Sequence, residues 1–334
     1  MIFLTGGTGL VGSYILLLLM QNNISVKALK RSSSSMHTCK KIFDYYKSSN
    51  LFDKIFWCEG DINDIPSLDK HMCDCDIVIH AAGLVSFQKA DLELLKKINI
   101  EGTANVMNVA LSHNFKKCIY ISSVSTLGRK DGDLEINEES FFSANKSVSN
   151  YAYSKYYAEQ EVWRASSEGI NTIILNPSII LGPGDWNKGS SKIFQTVFNG
   201  LKFYSPGSSG YVDVMDVAKI TIQFLSEKIK NERYILNGTN ISFQDVFNQI
   251  ADEFKIPRAK YKVTPFLKEL AWRVDALKTF FTGMPSLLTK ETANSAMKSV
   301  AYSSKKIKET LKYDFIPIDK TIKEYCRFFE KELI

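Results

Sequence analysis

The segment that most constrains the fold of this chain is its N-terminal twenty residues, where a strand-like run leads through a glycine turn into a helix-like run. Ile2–Thr5 is short and apolar, and Leu10–Gln21 has the length of a helix packed on a sheet. The sequence between them is TGGTGLVG at residues 5–12. A strand, a glycine-rich turn and a helix in this order predict a parallel α/β fold with a ligand at the turn.

The glycines of this turn have the spacing that suits a dinucleotide. Gly6 permits a tight turn, Gly9 lets the backbone approach a pyrophosphate, and Gly12 lets the helix pack closely on the strand. The free N–H groups and the positive end of the helix dipole then face the phosphates. We therefore expect a nicotinamide dinucleotide to be bound by Gly6, Thr8, Gly9, Leu10, Val11 and Gly12.

Further strands and helices alternate through the first half of the chain. Strands are predicted at Ser25–Leu29, Lys54–Cys58, Asp76–His80, Lys117–Ser122 and Thr172–Asn176, and helices near Ile65–Met72, Ala90–His113 and Tyr151–Ser167. This alternation predicts an α/β, doubly wound parallel Rossmann sheet with a smaller, mostly helical C-terminal lobe.

After residue 176, glycine and proline become frequent and the regular alternation ends. Val212–Leu225 is predicted to be helical and Arg233–Leu236 to be another strand. We expect residues 1–176 to form the dinucleotide-binding domain, with 213–240 returning to it. Residues 177–212 and 241–334 would then form the substrate-binding lobe.

The end of the second strand bears on the choice of cofactor. An acidic residue about twenty positions after the glycine turn would favour NAD, but this chain has Lys30-Arg31-Ser32-Ser33 there. Arg31 can bind a 2′-phosphate with two parallel hydrogen bonds. NADP is therefore the preferred cofactor and NAD is possible. The alternative is that Lys30 and Arg31 are solvated loop charges.

A candidate catalytic pair lies at the start of a predicted helix. Tyr151 and Lys155 are four residues apart and so lie one turn apart on the same helix face. A phenol near pKa 10 is a weak acid at neutral pH, and a neighbouring ammonium would lower its pKa by stabilising the phenolate. Ser123 follows the fifth strand and could donate to a developing oxyanion. Serine after a strand is also a common turn residue.

Composition excludes several other classes. The net charge of +6 is spread without a basic stripe, which favours a solvated surface over nucleic-acid binding. The six cysteines and four histidines do not have the spacing of metal ligands, so no metal is expected. The apolar run Tyr14–Met20 is too short to cross a membrane. Because the chain opens directly on a strand and its cysteines are scattered, we expect a cytoplasmic protein with reduced thiols and no leader.

In its whole pattern the chain resembles the extended short-chain dehydrogenase/reductase family, also called the NAD-dependent epimerase/dehydratase family. The motifs that carry the resemblance run in order along nearly the whole chain. They are the glycine turn, Gly60-Asp61-Ile62, His80-Ala81-Ala82-Gly83, Asn99-Ile100-Glu101-Gly102-Thr103, Ser122-Ser123, Tyr151 with Lys155, Asn176-Pro177 through Gly182-Pro183, and Val212-Asp213-Val214 with Asp216-Val217-Ala218.

The resemblance implies roles for individual residues. Ser123, Tyr151 and Lys155 would form the catalytic triad, and Asn99 would support the site indirectly. The remaining cofactor contacts would come from Asp61 and Ile62 beside the adenine, from Ala81, Ala82 and Gly83 in the middle, and from Pro177 to Ile180 at the nicotinamide. Asp61 could instead cap the following helix. Helices Ala90–His113 and Tyr151–Ser167 match the pair through which relatives dimerise, which makes a homodimer possible.

Within the family, the pattern is nearest to the dihydroflavonol reductase and 3β-hydroxysteroid dehydrogenase branch. Nucleotide-sugar epimerases typically carry an Arg within Gly207–Tyr211 and Arg-Pro in place of Asn176-Pro177, and this chain has neither. We therefore expect a reductase or dehydrogenase for a small, apolar carbonyl or alcohol. The alternatives are an epimerase or dehydratase of nucleotide sugars and a non-catalytic sensor of dinucleotide redox state.

One apolar stripe in the C-terminal lobe has helical spacing and is open to three interpretations. Core or lid packing, a subunit contact and a membrane-surface role would each explain it. Its members are Phe266, Leu267, Leu270, Val274, Leu277 and Phe281.

Overall fold

A computed structural model describes residues 1–128, 135–142, 148–282 and 289–333, without the side chains of 276 and 278–282. Phe281 of the apolar stripe therefore lies outside the described side chains. The strands are β1 (Ile2–Thr5), β2 (Val26–Lys30), β3 (Phe56–Glu59), β4 (Ile77–His80), β5 (Lys117–Ile121), β6 (Asn171–Pro177), β7 (Ile179–Leu181), β8 (Phe203–Tyr204), β9 (Ser208–Asp213), β10 (Glu232–Leu236), β11 (Thr239–Ser242) and β12 (Tyr261–Lys262).

The α-helices cover both faces of the main sheet and most of the C-terminal part. They are α1 (Leu10–Gln21), α2 (His37–Tyr45), α3 (Ser49–Phe52), α4 (Ile65–Met72), α5 (Leu92–Leu95), α6 (Gly102–Ser112), α7 (Asn150–Ser167), α8 (Lys192–Phe198), α9 (Val214–Ser226), α10 (Phe243–Glu253), α11 (Pro265–Thr282), α12 (Lys290–Ser295), α13 (Lys305–Leu311) and α14 (Ile318–Leu333).

The main sheet has seven parallel strands in the order β3-β2-β1-β4-β5-β6-β10. The chain runs outward from β1 in one direction through β3 and then starts again beside β1 with β4. Ligands of doubly wound sheets bind at this switch point, at the carboxyl ends of the strands. The predicted fold class is confirmed. β10 returns to the sheet as expected, where it pairs with β6, and the predicted division into two domains stays a prediction.

Both faces of this sheet are buried, which is why its strands are continuously apolar. On β1, Ile2 and Leu4 belong to one core cluster and Phe3 belongs to the other. The first cluster joins the sheet to α1, α9 and α14, and the second joins it to α4, α6 and α7. Alternate side chains therefore enter opposite layers, as the two-residue period of a strand requires.

The helix predicted over Ala90–His113 is interrupted. After α5 the backbone forms a π-helical turn at Lys96–Glu101 before α6 begins. Asn99 lies in this turn and is buried. Its side chain donates to Leu84 O at 3.0 Å and to Ser154 Oγ at 2.9 Å. Wide turns of this kind are frequent at functional sites, and periodicity alone does not reveal them.

The helix predicted from Val212 begins later because Asp213 ends strand β9. The Asp213 side chain accepts from Met215 N at 2.7 Å and so caps α9. It also accepts from Thr321 Oγ1 and from the Tyr325 hydroxyl on α14. The Asp216 carboxylate accepts from the Tyr313 hydroxyl at 2.8 Å and from Ile316 N at 2.9 Å. The two aspartates thus fasten the C-terminal segment to α9.

The stripe on α11 is not part of the core. Phe266 is 79% exposed, and Leu270, Val274 and Leu277 are each about half exposed. The interpretation that this stripe packs in the core is therefore wrong for these four residues. Among the described residues, the structure contains no helix that is both long and apolar enough to cross a membrane.

Replacement of Asp216 is expected to change how stability depends on pH. Burial raises the pKa of Asp216 to about 6, so the folded state holds this proton more tightly than the unfolded chain. The resulting stabilisation is fully present below about pH 4 and is lost as the pH rises through 6. Between pH 4 and pH 7 the free energy of unfolding of Asp216→Asn should therefore fall by about 2 kcal/mol less than that of the wild type.

Urea titrations at several pH values measure this difference. Asp314→Asn is the matched control, because Asp314 is exposed on the same segment. Equal pH slopes for wild type and Asp216→Asn would contradict the prediction.

Candidate active site

The site is a crevice at the switch point, where the glycine turn meets the end of β4. Gly6 has a φ of +74°, and a Cβ there would lie 2.5 Å from Ala81 C. A Cβ on Gly12 would lie 2.1 Å from Gly6 O. Only glycine fits these two positions, since the turn, the helix and the end of β4 approach at backbone distance.

The N-terminus of α1 opens into this crevice without a side-chain cap. Gly9 is exposed at the N-cap position, and the first N–H groups of the helix have no intrahelical partner. Thr8, Leu10 and Val11 are partly exposed beside it. The Leu10 side chain packs beneath Gly182, where a Cβ would lie 3.2 Å from Leu10 Cδ1. The loop after β7 therefore borders the turn.

A cavity of about 480 Å³ lies at the carboxyl ends of β2 and β3. Arg31 follows β2 directly and is exposed there, and no ion pair of its side chain occurs in the described part of the chain. Lys70 and His71 in the last turn of α4 also line this cavity, and the sequence analysis missed both. The complete lining is Arg31, Ser32, Ser33, Glu59, Gly60, Asp61, Asp64, Ser67, Lys70 and His71.

Asp61 and Ile62 have different surroundings. Asp61 lines this cavity and accepts from Asn63 N at 2.8 Å. The cap of α4 is Asp64, which accepts from Ser67 N, so Asp61 does not cap that helix. Ile62 is buried, and its side chain packs against Gly102.

At the carboxyl end of β5 the two adjacent serines face opposite ways. Ser122 is buried, and its hydroxyl donates to Glu159 Oε2 at 2.7 Å. Ser123 is partly exposed, its Oγ accepts from Ser125 N at 3.1 Å, and its hydroxyl lies near enough to Tyr151 to lower the pKa of that phenol. The alternation of a strand's side chains thus selects the second serine for the crevice.

Tyr151 and Lys155 lie one turn apart on α7 as predicted, but the Lys155 ammonium is held elsewhere. Lys155 Nζ donates to the Tyr120 hydroxyl at 2.6 Å and to Ile121 O at 2.9 Å. Burial lowers the pKa of Lys155 to about 7, and the charge of Glu159 opposes this shift. Burial raises the pKa of Tyr151, and the nearby Ser123 hydroxyl opposes that shift.

A buried carboxylate, which the sequence analysis missed, lies beneath this pair. Glu159 is one further turn along α7 and is fully buried. Its Oε2 accepts from Thr126 Oγ1 and Asn176 Nδ2, each at 3.0 Å. Its Oε1 lies 2.9 Å from Arg233 Nη2, in an ion pair whose angle is outside hydrogen-bond geometry. The i, i+4, i+8 spacing from Tyr151 was the available signal.

The segment after β4 reaches the same site. Asn99 Oδ1 accepts from Leu84 N at 2.7 Å, which fixes the backbone of this segment. A Cβ on Gly83 would lie 3.9 Å from Lys155 Nζ, so this glycine adjoins the lysine. Ala81 and Ala82 are partly exposed in the crevice.

The predicted nicotinamide border is less open. Pro177 is buried at the end of β6, and Ile180 is partly buried on β7.

The glycine turn, the parallel sheet and these side chains agree with the family found by comparison. The model of the NAD dependent epimerase/dehydratase family matches residues 2–236, and the chain belongs to this family. It is an NAD(P)-dependent reductase, dehydrogenase or epimerase. The chain is 29% identical over 317 residues to a putative dihydroflavonol 4-reductase of Synechocystis sp.. The aligned region covers 92% of this chain and 88% of that relative.

Other relatives span the chain equally well. Cinnamoyl-CoA reductase 1 of Petunia hybrida is 24% identical over 310 residues, covering 89% of this chain and 90% of its own. The crystal structure of gox2253 superimposes with a TM-score of 0.81 at 27% sequence identity, and the match covers 99% of this chain and 98% of that chain. UDP-glucose 4-epimerase of Thermotoga maritima, solved with UDP-glucose, shares the fold at 18% identity and a TM-score of 0.79, covering 100% and 99%.

Alanine substitutions at Gly9 and Gly12 are expected to differ in their effects on cofactor binding and on the stability of the fold. A Cβ on Gly9 meets nothing closer than Gly6 O at 3.4 Å, whereas a Cβ on Gly12 would lie 2.1 Å from that oxygen. Gly9→Ala should keep the wild-type melting temperature but weaken NADPH binding about tenfold or more, because the methyl group obstructs a pyrophosphate. Gly12→Ala should also destabilise the fold, by about 1–3 kcal/mol.

Thermal unfolding and fluorescence titration with NADPH separate the two effects. The prediction is wrong if Gly9→Ala binds NADPH normally, or if Gly12→Ala melts with the wild type.

Proposed function

We propose that this protein is an NADP(H)-preferring reductase that transfers hydride to the carbonyl of a small apolar molecule, with Tyr151 as the proton donor. The observation that carries the proposal is the placement of Ser123 beside Tyr151, whose pKa it lowers, with Lys155 buried one helical turn away. This group lies at the carboxyl edge of the sheet, in the same crevice as the glycine turn. The names of the reductase relatives support the same class of reaction.

The residues present fit a dinucleotide. The uncapped N-terminus of α1 would hold the pyrophosphate, since its N–H groups and dipole favour anions. The cavity lined by Arg31 and Lys70 would hold the adenosine end. Two cations and the hydroxyls of Ser32 and Ser33 suit a 2′-phosphate. The preference for NADP rests on this cluster of donors.

The chemistry divides between the cofactor and three side chains. A bound nicotinamide supplies the hydride. Ser123 Oγ donates a hydrogen bond to the carbonyl oxygen, and the Tyr151 hydroxyl gives that oxygen its proton. The Lys155 ammonium stabilises the phenolate left on Tyr151. Glu159 beneath Lys155 favours the charged ammonium. Because the pKa of Tyr151 is raised by burial, stabilisation of the phenolate by Lys155 is required.

Apolar side chains beside Tyr151 support an apolar substrate. The ring of Phe87 meets the ring of Tyr151 edge to face at 5.6 Å between centroids. Phe87 is 37% exposed, and Val85 on the same segment is 57% exposed. Asn99 anchors this segment through the backbone of Leu84, so these side chains form a fixed apolar edge of the site.

The proposal includes an assignment of the lobes. Residues 177–212 and 241–334 would bind the substrate, and residues 1–176 with 213–240 would bind the cofactor. In a homodimer, α5, α6 and α7 of one chain would pack against the same helices of a second chain. Leu94 on α5 and Tyr157 on α7 are exposed apolar residues that such an interface would cover.

Tyr151→Phe is the decisive variant. It should lower kcat for reduction of the true substrate by a factor of about 10²–10⁴ while NADPH still binds, because only the proton donor is removed. Tyr153→Phe on the same helix is the matched control and should keep the wild-type rate. NADPH absorbance with a panel of apolar ketones, aldehydes and nucleotide sugars provides the assay. Turnover by Tyr151→Phe at the wild-type rate would overturn the mechanism.

The same panel distinguishes an epimerase from a reductase. An epimerase returns the hydride to its substrate and causes no net change in NADPH absorbance. A nucleotide sugar converted to its epimer without net oxidation of NADPH would therefore replace the proposed reaction.

Arg31 is expected to discriminate between the two cofactors. Arg31→Ala should weaken NADPH binding about tenfold or more and leave NADH binding nearly unchanged, because only NADPH carries the 2′-phosphate. Lys30→Ala is the matched control, since Lys30 Nζ lies 3.7 Å from the Glu59 carboxylate and has a partner of its own. Fluorescence titrations of both cofactors measure the effect. Equal dissociation constants for NADPH and NADH in the wild type would contradict the preference.

A further inference from the structure

Tyr120 makes the shortest hydrogen bond of the Lys155 ammonium. It lies on β5 and is completely buried, and its hydroxyl accepts from Lys155 Nζ at 2.6 Å. The same ring faces the ammonium at 4.3 Å from its centroid. Lys155 is only 4% exposed, so its charge depends on protein acceptors rather than on water. Ile121 O, at 2.9 Å, is the other acceptor.

The direction of the hydrogen bonds around Tyr120 follows from the donors available. An ammonium has donors only, so the Tyr120 oxygen is the acceptor of the 2.6 Å bond from Lys155 Nζ. The Thr103 side chain opposes the rise that burial causes in the pKa of Tyr120. Thr103 Oγ1 donates its single proton to Asn99 O at 2.6 Å.

His80 fixes the other side of this chain of hydroxyls. Burial lowers the pKa of His80 to about 3, so the ring is neutral and has one N–H. Because Thr103 gives its proton to Asn99 O, the single N–H of His80 lies on Nε2 and donates to Thr103 Oγ1 at 3.0 Å. His80 Nδ1 therefore accepts from Thr5 Oγ1 at 2.6 Å, and the same Thr5 oxygen accepts from Ala82 N at 3.2 Å. The hydrogen bonds from Asn99 through Thr103 and His80 to Thr5 thus have one orientation.

We propose that Tyr120 is a positioning residue whose hydroxyl holds the Lys155 ammonium in place and in its charged form. The titratable groups around Lys155 are Tyr120 on β5, His80 on β4, and Tyr151 and Glu159 on its own helix. His80 is neutral and Glu159 attracts the ammonium. Tyr120 contacts the ammonium directly and acts on the reaction through Lys155. The proposal rests on the function proposed above for Tyr151 and Lys155.

Tyr120→Phe tests this role, because it keeps the ring beside the ammonium and removes only the acceptor. Lys155 should then lose its proton more easily, so the fall of kcat at high pH should move about one unit toward lower pH. KM should change little, since Tyr120 is not exposed to the substrate. Tyr211→Phe is the matched control. The Tyr211 hydroxyl is equally buried on another sheet and has no hydrogen-bond partner among the described residues, so its removal should leave the pH profile unchanged.

A second variant covers the case in which Tyr120→Phe does not fold. Tyr120→Leu also removes the acceptor, so the profile should shift in the same direction. The proposal is overturned if folded Tyr120→Phe, or folded Tyr120→Leu in its place, keeps the wild-type pH profile while Tyr151→Phe is inactive. An active Tyr151→Phe would instead overturn the proposed function itself.

Discussion

The arrangement of the site depends on one buried charge, the carboxylate of Glu159. A carboxylate without water must be matched by donors, and those donors come from several elements. Ser122 and Asn176 bring the ends of β5 and β6 to α7, and Arg233 adds the edge strand β10. Because Ser122 is turned inward by this contact, Ser123 is turned toward Tyr151. The same charge lies one turn from Lys155 and opposes the loss of its proton.

A second constraint is the approach of the glycine turn to the end of β4. The turn and β4 meet at backbone distance at Gly6 and Ala81, which creates the crevice where the strand order reverses. A network of hydrogen bonds runs beneath this crevice from Ala82 through Thr5, His80 and Thr103 to Asn99. Asn99 in turn donates to Ser154, the residue before Lys155 on α7. The segment proposed to contact the cofactor and the helix proposed to carry the chemistry therefore share one polar layer under the site.

Local patterns were sufficient for much of the fold. The strand–turn–helix unit, the alternation of apolar runs and the i, i+4 spacing of Tyr151 and Lys155 are properties of neighbouring residues, and the structure has them where they were predicted. The errors arise from contacts between separate elements, which periodicity does not contain. The π-helical turn at Lys96–Glu101 accompanies the contacts of Asn99 with Leu84 and Ser154, and α9 starts after Asp213 because that carboxylate also bonds α14.

The sequence by itself determined the fold class, the position of the dinucleotide turn and the identities of the candidate catalytic residues, because each rests on spacing within a short segment. Only the tertiary structure decided which groups surround them. Lys70 and His71 reach the cavity beside Arg31 from α4, and Tyr120 and Glu159 reach Lys155 from β5 and from one helical turn away. These contacts depend on how helices and strands pack. A buried charge needs polar partners, and tertiary packing decides which side chains lie close enough to be those partners.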